Sequence, residues 1–326
     1  MTCSQLRDVQ SGQTSFPVNR IAWEIGSAFL LGALLEVSTH PKPGLVTPLS
    51  NGSHQDMDLQ TFMRSSAAIA PCFYECAQLG LSHEGAITDL LPKVRNTGVF
   101  YEDVLLATTG GINTQRGYLF CAGVLSAATG YAARSIRTFS ERVILTLAAR
   151  MCEGLCNREL EQTRSAEKRT AGEILFKEHG VRGIRGEVED GFPSVAVFGL
   201  PAYRTAMERG LPERLARIHA LITLMSVVQD TTVLWRGGPN AQEFVYKRAR
   251  HILSLGGAMT AEGMEEIHSF DAELVSRNLS PGGCADLLAV TIALEKLTSR
   301  QGATGTQSSR VNQTHPKIEK MKVGQS

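Results

Sequence analysis

Charge of either sign is not in surplus: 33 Lys and Arg stand against 32 Asp and Glu, a formal charge of +1. A chain so balanced has no global field to gather nucleic acid or an anionic membrane, so any phosphate binding has to be local. A disulfide framework is also missing. The seven cysteines are odd in number and scattered, with no CxxC pair, and Cys72/Cys76 and Cys152/Cys156 are each one helical turn apart. The expectation is reduced, mostly buried thiols in a cytoplasmic protein. The first twenty residues lack the apolar run of a secretory signal. The longest apolar stretch, Ile21 to Val37, is interrupted by Glu24 and Glu36, which leaves it too short and too charged to span a bilayer. There is no GxxxxGK[ST] phosphate loop, almost no sustained period-two alternation, and no internal repeat or Ser/Gly linker between residues 19 and 298.

What is present is ordinary globular composition, 43 % hydrophobic and 20 % charged, arranged mostly at helical spacing. Asn19 is placed to cap a first core helix carrying Ile21, Ile25, Phe29 and Leu35, which stops before Pro41 and Pro43. A long loop, STHPKPGLVTPLSNGSHQDMD, follows, of the kind that is usually functional inside a compact domain. Asp58 can cap the next helix, in which Pro71 predicts a kink or break. Further helices are predicted over Ala86 to Leu91, Tyr101 to Leu106, from Leu119, over Ser140 to Glu161, Ser165 to His179, from Pro193, and over Leu211 to Val228, Gln242 to Leu255, Ala261 to Arg277 and Pro281 to Leu297. The fold class is therefore all-α. A single bundle-like catalytic domain is expected over 19–298, with a loose N-terminal segment at 1–18 and a disordered polar tail at 299–326.

The densest chemistry lies in Val181 to Pro193, VRGIRGEVEDGFP. Arg182 and Arg185 offer forked donors for phosphate. Gly183, Gly186 and Gly191 let the backbone approach a ligand or take positive φ, and Glu187, Glu189 and Asp190 add carboxylates. Similar segments recur between helices: PKPG with Lys42, SHQDMD with Asp56 and Asp58, GINTQRG with Asn113 and Arg116, QDTTVLWRGG with Asp230 and Arg236, and NLSPGGCADLL with Gly282, Gly283 and Asp286. Taken singly, Lys42 reads as a solvated loop lysine, Asp58 as an N-cap and Pro281-Gly282-Gly283 as a helix start. His54 beside Asp56 suggests a transition metal, but the absence of a second histidine at ligand spacing argues against zinc. Cys284 reads as a small buried residue rather than a nucleophile, and Trp23 and Trp235 as core or pocket wall. Taken together, charged groups in so many separate glycine-rich segments have no common structural purpose. In a bundle, such segments can gather at one end.

EVSTHPKPGLV at 36–46, NGSHQDMD at 51–58, GGINTQRG at 110–117, GVRGIRGEVEDGFP at 180–193, DTTVLWRGG at 230–238 and LSPGGCADLLA at 279–289 resemble, in order, the signatures of the triphosphoribosyl-dephospho-CoA synthase family. The WRGG form resembles the branch serving malonate decarboxylase more than the one serving citrate lyase. The resemblance implies a pentosyltransferase that joins the triphosphoribosyl part of ATP to the 2'-hydroxyl of 3'-dephospho-CoA and releases adenine. Its product goes to a separate acyl-carrier-protein transferase. Nucleic acid and membrane are not expected partners, and a homo-oligomer is allowed.

Breaking the bond from ribose to adenine builds positive charge on the sugar, which nearby carboxylates stabilise. Asp230, Asp58 and Glu187 are the catalytic candidates. Lys42, Arg116, Arg182, Arg185, Arg236, Asn113, Gly183, Gly186, Gly282 and Gly283 are the candidates for holding substrate phosphates. Mg²⁺ is expected, with Asp56, Asp58 and Asp230 as its candidate ligands. Water must be kept from the ribosyl cation, so closure of the PKPG or RGIRGE segment over ATP is expected. The chain departs from the family pattern at Gln115, Ala171 and Cys284. The competing readings are a Mg²⁺-dependent N-glycosidic hydrolase and a nucleotide-binding helical module without turnover.

Overall fold

The computed structural model describes residues 19–135, 140–160 and 170–305. The expected loose segment 1–18, the expected 299–326 tail beyond Gly305, and the start of the helix expected from Ser165 lie outside the described residues; the first residues of that tail, 299–305, are helical, because the last helix runs on past Leu297. The elements are thirteen α-helices with no β-strand among the described residues: α1 (Arg20–Val37), α2 (Leu59–Ser82), α3 (Leu91–Thr109), α4 (Arg116–Ala133), α5 (Glu141–Met151), α6 (Leu155–Leu160), α7 (Ala171–His179), α8 (Gly183–Glu189), α9 (Leu200–Glu208), α10 (Glu213–Met225), α11 (Thr231–Ser254), α12 (Ala261–Ser276) and α13 (Gly282–Gly305). The fold is all-α, as the periodicity predicts.

Local chemistry sets the helix starts. The Asn19 side chain accepts from the N–H groups of Ile21 and Ala22 at the head of α1. Asp58 forms a reciprocal capping box with Thr61 at the head of α2, and Asp230 accepts from Thr232 and Val233 at the head of α11. Several boundaries differ from the sequence expectation. The helix expected over Ser140 to Glu161 is divided into α5 and α6, with Gly154 at φ +72° between them. Pro71 does not end α2, which runs on to Ser82. The QDTTVLWRGG segment is helical from Thr231, and the break falls at Gly238, φ +69°, before Pro239. RGIRGE is not a loop but the short helix α8.

One hydrophobic core runs from Ala22 in α1 to Leu294 in α13. α2 contributes Ile69, Cys72, Phe73, Cys76, Ala77 and Gly80 at spacings of three and four, which puts them on one face. That face meets α4 at very short range. A Cβ on Gly80 would lie 2.1 Å from the Ala127 carbonyl oxygen, and one on Gly130 2.1 Å from that of Ala77, so only glycine permits this approach. Phe73 packs edge-on to Tyr118 of α4 at 5.7 Å, and the buried Tyr118 hydroxyl donates to the Phe29 carbonyl of α1. All six cysteines among the described residues are free and buried.

This packing brings the starts of α4, α11 and α13 to one cavity, with α8 and the 38–58 loop closing its sides. The loop is pinned there by Ser53 Oγ, which donates to the carbonyls of Leu274 at 3.2 Å and Leu279 at 2.6 Å, and by Gly44 N, which donates to Asp271 Oδ1 at 2.8 Å.

Candidate active site

The cavity measures about 930 Å³ and is lined by residues from every one of the glycine-rich segments singled out in the sequence. Three long helices begin on it: Arg116 and Gly117 of α4, Thr231 and Thr232 of α11, and Gly282 and Gly283 of α13. The first N–H groups of a helix lack intrahelical partners and carry a partial positive charge, so three such ends form a setting for a polyanion.

Arg116, Arg182 and Arg236 line the cavity. Arg116 pairs with Glu102 and Arg182 with Asp190, and all four side chains are partly exposed. Arg236 is fixed more firmly. Its Nη1 donates to the Ser53 carbonyl at 2.9 Å and to Asn278 at 3.3 Å, and its Nη2 lies 3.3 Å from His54 Nδ1. An arginine can only donate, so His54 accepts at Nδ1 and its Nε2 donates to Ser280 Oγ at 2.9 Å. Burial, then the Arg236 charge, hold His54 below the usual imidazole pKa, consistent with that neutral form.

The least accessible charged groups of the lining are Lys42, Glu36 and Asp230. Glu36 and Lys42 form a buried ion pair. The two groups are shifted in opposite directions, Glu36 upward and Lys42 downward, by burial, which the pairing only partly offsets. Asp230 is 1 % exposed. Its Oδ1 accepts from the N–H groups of Thr232 at 2.9 Å and Val233 at 3.2 Å, while its Oδ2 accepts from Cys284 N at 2.8 Å. One carboxylate thus ties the head of α11 to the head of α13. Burial raises its pKa, and those three N–H bonds oppose the rise. Glu187 of α8 also lines the cavity, held by the Ser194 hydroxyl at 2.5 Å and the Ser194 N–H at 3.2 Å. Burial pushes its carboxyl above the ordinary value.

Over residues 22–305 the chain matches the family described as CitG, ATP:dephospho-CoA triphosphoribosyl transferase. The chain belongs to that family. A probable 2-(5''-triphosphoribosyl)-3'-dephosphocoenzyme-A synthase of Malonomonas rubra is 41 % identical over 92 % of this chain and 96 % of its own length. The 2-(5''-triphosphoribosyl)-3'-dephosphocoenzyme-A synthase of Klebsiella pneumoniae is 38 % identical over 83 % and 89 %, and a probable one of Vibrio cholerae serotype O1 is 34 % identical over 88 % and 91 %. No solved structure matches the chain.

In this transferase-family chain most of the sequence-derived candidates meet at the cavity: Lys42, Asp56, Asn113, Arg116, Arg182, Gly183, Gly186, Glu187, Asp230, Arg236, Gly282 and Gly283 all line it. Two do not. Asp58 is engaged in the α2 capping box and lies outside the lining. Arg185 falls on the far side of α8, where it pairs with Glu159 and lines a separate depression with Arg95, Arg150 and Arg158. Lys42, read singly as solvated, is 2 % exposed. Trp23 and Trp235 are exposed rather than core, and Trp235 stands on the cavity wall. Cys284 is buried, and burial and the neighbouring Asp230 charge raise its thiol pKa, so it remains a neutral thiol. Gln115 is a tie rather than an acid or base, its Nε2 lying 2.9 Å from both Ser65 Oγ and Ser66 Oγ.

Asp56, Asp58 and Asp230 do not form a metal cage. Asp58 is at the α2 cap, both Asp230 oxygens already accept backbone N–H groups, and no group of three or more His, Cys, Asp or Glu among the described residues is arranged to hold a metal ion. The PKPG segment is packed inside the molecule and RGIRGE is helical. Glu36, Asp190 and Asp286 are the lining carboxyls left out of the candidate site residues. Their signal was present in the EVSTHPKPG, RGIRGEVED and SPGGCADLL motifs, each at the edge of a helix.

Proposed function

We propose that this chain transfers the triphosphoribosyl part of ATP to 3'-dephospho-CoA and releases adenine. The observation that carries the reading is that one cavity gathers Arg116, Arg182 and Arg236 and the starts of three helices with the carboxyls Glu36, Glu187, Asp230 and Asp286. A triphosphate that stays intact needs the first set, and a ribosyl centre that gains positive charge needs the second. Arg116, Arg182 and Arg236 are the proposed triphosphate ligands, with Asn113, Gly282 and Gly283 beside the N–H groups of α4 and α13. Glu187 is the proposed base for the acceptor hydroxyl, because it faces the cavity and its burial brings it closer to neutral pH. Asp230 is proposed to hold α11 and α13 in place rather than to move a proton.

Mg²⁺, if bound, would neutralise charge on the substrate's phosphates and would need one or two protein carboxylates at most. Asp56, whose side chain is 61 % exposed, can supply one. A malonate decarboxylase carrier protein, loaded by a separate transferase, is the proposed destination of the product, on the WRGG form at 235–238. We place the reaction in the cytoplasm, in keeping with the free thiols, and no helix among the described residues is long and apolar enough to cross a membrane.

The test is the mass of the product formed from ATP and 3'-dephospho-CoA. The reading requires an adduct that keeps all three phosphates of ATP and lacks its adenine. A product that has lost phosphate, or no adduct at all, rejects it. Within the same assay, Arg236→Ala should raise the KM for ATP by about 10- to 100-fold, as expected when a charge-assisted hydrogen bond worth about 1.5–3 kcal/mol is removed. An unchanged KM for ATP would take Arg236 out of the phosphate site.

A further inference from the structure

The cavity interior holds four carboxyls, and three of them are already engaged. Glu36 is ion-paired with Lys42, Asp230 clamps three backbone N–H groups, and Glu187 accepts twice from Ser194. The fourth is Asp286, on the first turn of α13. It lines the cavity. No lysine, arginine or histidine among the described residues lies within ion-pair distance of it. Its Oδ2 is set against the start of α4 so closely that a Cβ on Gly117 would lie 2.0 Å away. Glycine at 117 therefore leaves room for this carboxyl between the start of α4 and the cavity that Asp286 lines.

We propose that Asp286 is the general acid of the reaction, giving its proton to the departing adenine. This rests on the transferase reading above. The bond from C1' of the ATP ribose to adenine N9 breaks, its electron pair stays with the base, and the Asp286 proton goes to N7 of the ring. The 2'-oxygen of 3'-dephospho-CoA bonds to C1', and its proton goes to Glu187. One proton has moved from hydroxyl to adenine, and the two carboxyls return to their starting forms by exchange through solvent after release. No oxidant, reductant or further reactant is required.

The surroundings keep the acid protonated. Burial, then the charges of Glu36 and Asp230, push Asp286 well above the ordinary carboxylate range, and the Tyr118 N–H only partly opposes this. The titratable and charged groups that act on it are Glu36 of α1, Tyr118 and Cys121 of α4, Asp230 before α11, and Cys284 of α13, while Lys42 of the loop and Glu187 of α8 line the same cavity. Tyr118, Cys121 and Cys284 are themselves raised well above their usual values by burial. Two carboxyls with different environments, one acid and one base, is the division of labour that such tuning allows.

The experiment compares wild type with Asp286→Asn and Asp286→Glu, using ATP and an ATP analogue methylated at adenine N7, whose base leaves without needing a proton. Asparagine keeps the size and shape of the side chain set against Gly117, and glutamate keeps an acid, so fold and chemistry are separable by melting temperature. With ATP, wild-type kcat should be highest where Asp286 is protonated and Glu187 ionised, and should fall as pH rises through the Asp286 pKa. In Asp286→Asn, kcat should drop by about 10²- to 10⁴-fold with that alkaline fall abolished and the KM for ATP little changed. Asp286→Glu should recover part of the rate and keep the alkaline fall. With the methylated analogue, Asp286→Asn should match wild type within a few-fold. An equal loss on both substrates, or an alkaline fall that persists in Asp286→Asn, overturns the proposal while leaving the transferase reading intact. Absence of adduct in wild type overturns that reading instead.

Discussion

Replacing Lys42 by methionine is expected to lower stability by about 3–5 kcal/mol, because it strands Glu36 as an uncompensated charge in the interior. Both partners are almost fully inaccessible, with side-chain exposures of 1 % and 8 %. Their pairing offsets burial without cancelling it, since Glu36 remains raised and Lys42 lowered by desolvation. Removing both charges together should therefore cost far less than removing one. The double variant Glu36→Gln/Lys42→Met is expected to regain most of the lost stability, and the coupling can be read from urea unfolding of the two single variants and the double variant. Additive losses would mean that the two groups do not depend on each other. The pair joins the last turn of α1 to the 38–58 loop, so the same variants report how firmly that loop is held against the cavity.

The second large effect is expected at Asp230. Asp230→Ala removes the cap of α11, worth about 1 kcal/mol, and leaves the Cys284 N–H without its partner inside the protein, which costs about 1–3 kcal/mol more. The total, about 2–4 kcal/mol, falls on the junction between two helix starts that both line the cavity. Turnover should fall with it. Asp230→Asn keeps a capping oxygen for Thr232 and Val233 but turns its amide toward Cys284 N–H, donor against donor, so it should lose less stability than the alanine variant and still lose activity. Thermal melts beside initial rates separate the roles. A fully stable alanine variant without turnover would identify Asp230 as a chemical group rather than a clamp.

Much of this arrangement was legible in the chain. The caps at Asn19 and Asp58 follow from side chains that accept from N–H groups two or three residues ahead, and such local bonds survive in any tertiary setting. The gathering of the glycine-rich segments was also legible, since charged residues repeated at helix junctions have little use apart from one another.

What was not legible depends on partners that sequence spacing does not reveal. Lys42 reads as solvated until the loop folds it back onto Glu36, on the preceding helix. Arg182 and Arg185 look equivalent until RGIRGE becomes a helix. Its rotation then puts Gly183, Gly186 and Glu187 toward the cavity and Arg185 away from it, beside Glu159. Asp286 drew little notice because its neighbours, Pro281 to Gly283, read as a helix start. Its importance comes from facing Gly117 of α4, far away in sequence. The division of the helix expected at 140–161 and the break at Gly238 both turn on glycines adopting positive φ, which composition permits but does not compel.

The central claim is that ATP serves as a ribosyl donor to a second nucleotide. The most direct test is free adenine release from ATP and Mg²⁺ by the purified protein, measured with and without 3'-dephospho-CoA. The account predicts adenine only when the acceptor is present, one molecule for each adduct formed. Adenine released at the same rate without the acceptor would contradict it and identify a hydrolase, and ATP binding with no adenine in either case would leave a nucleotide-binding module without turnover.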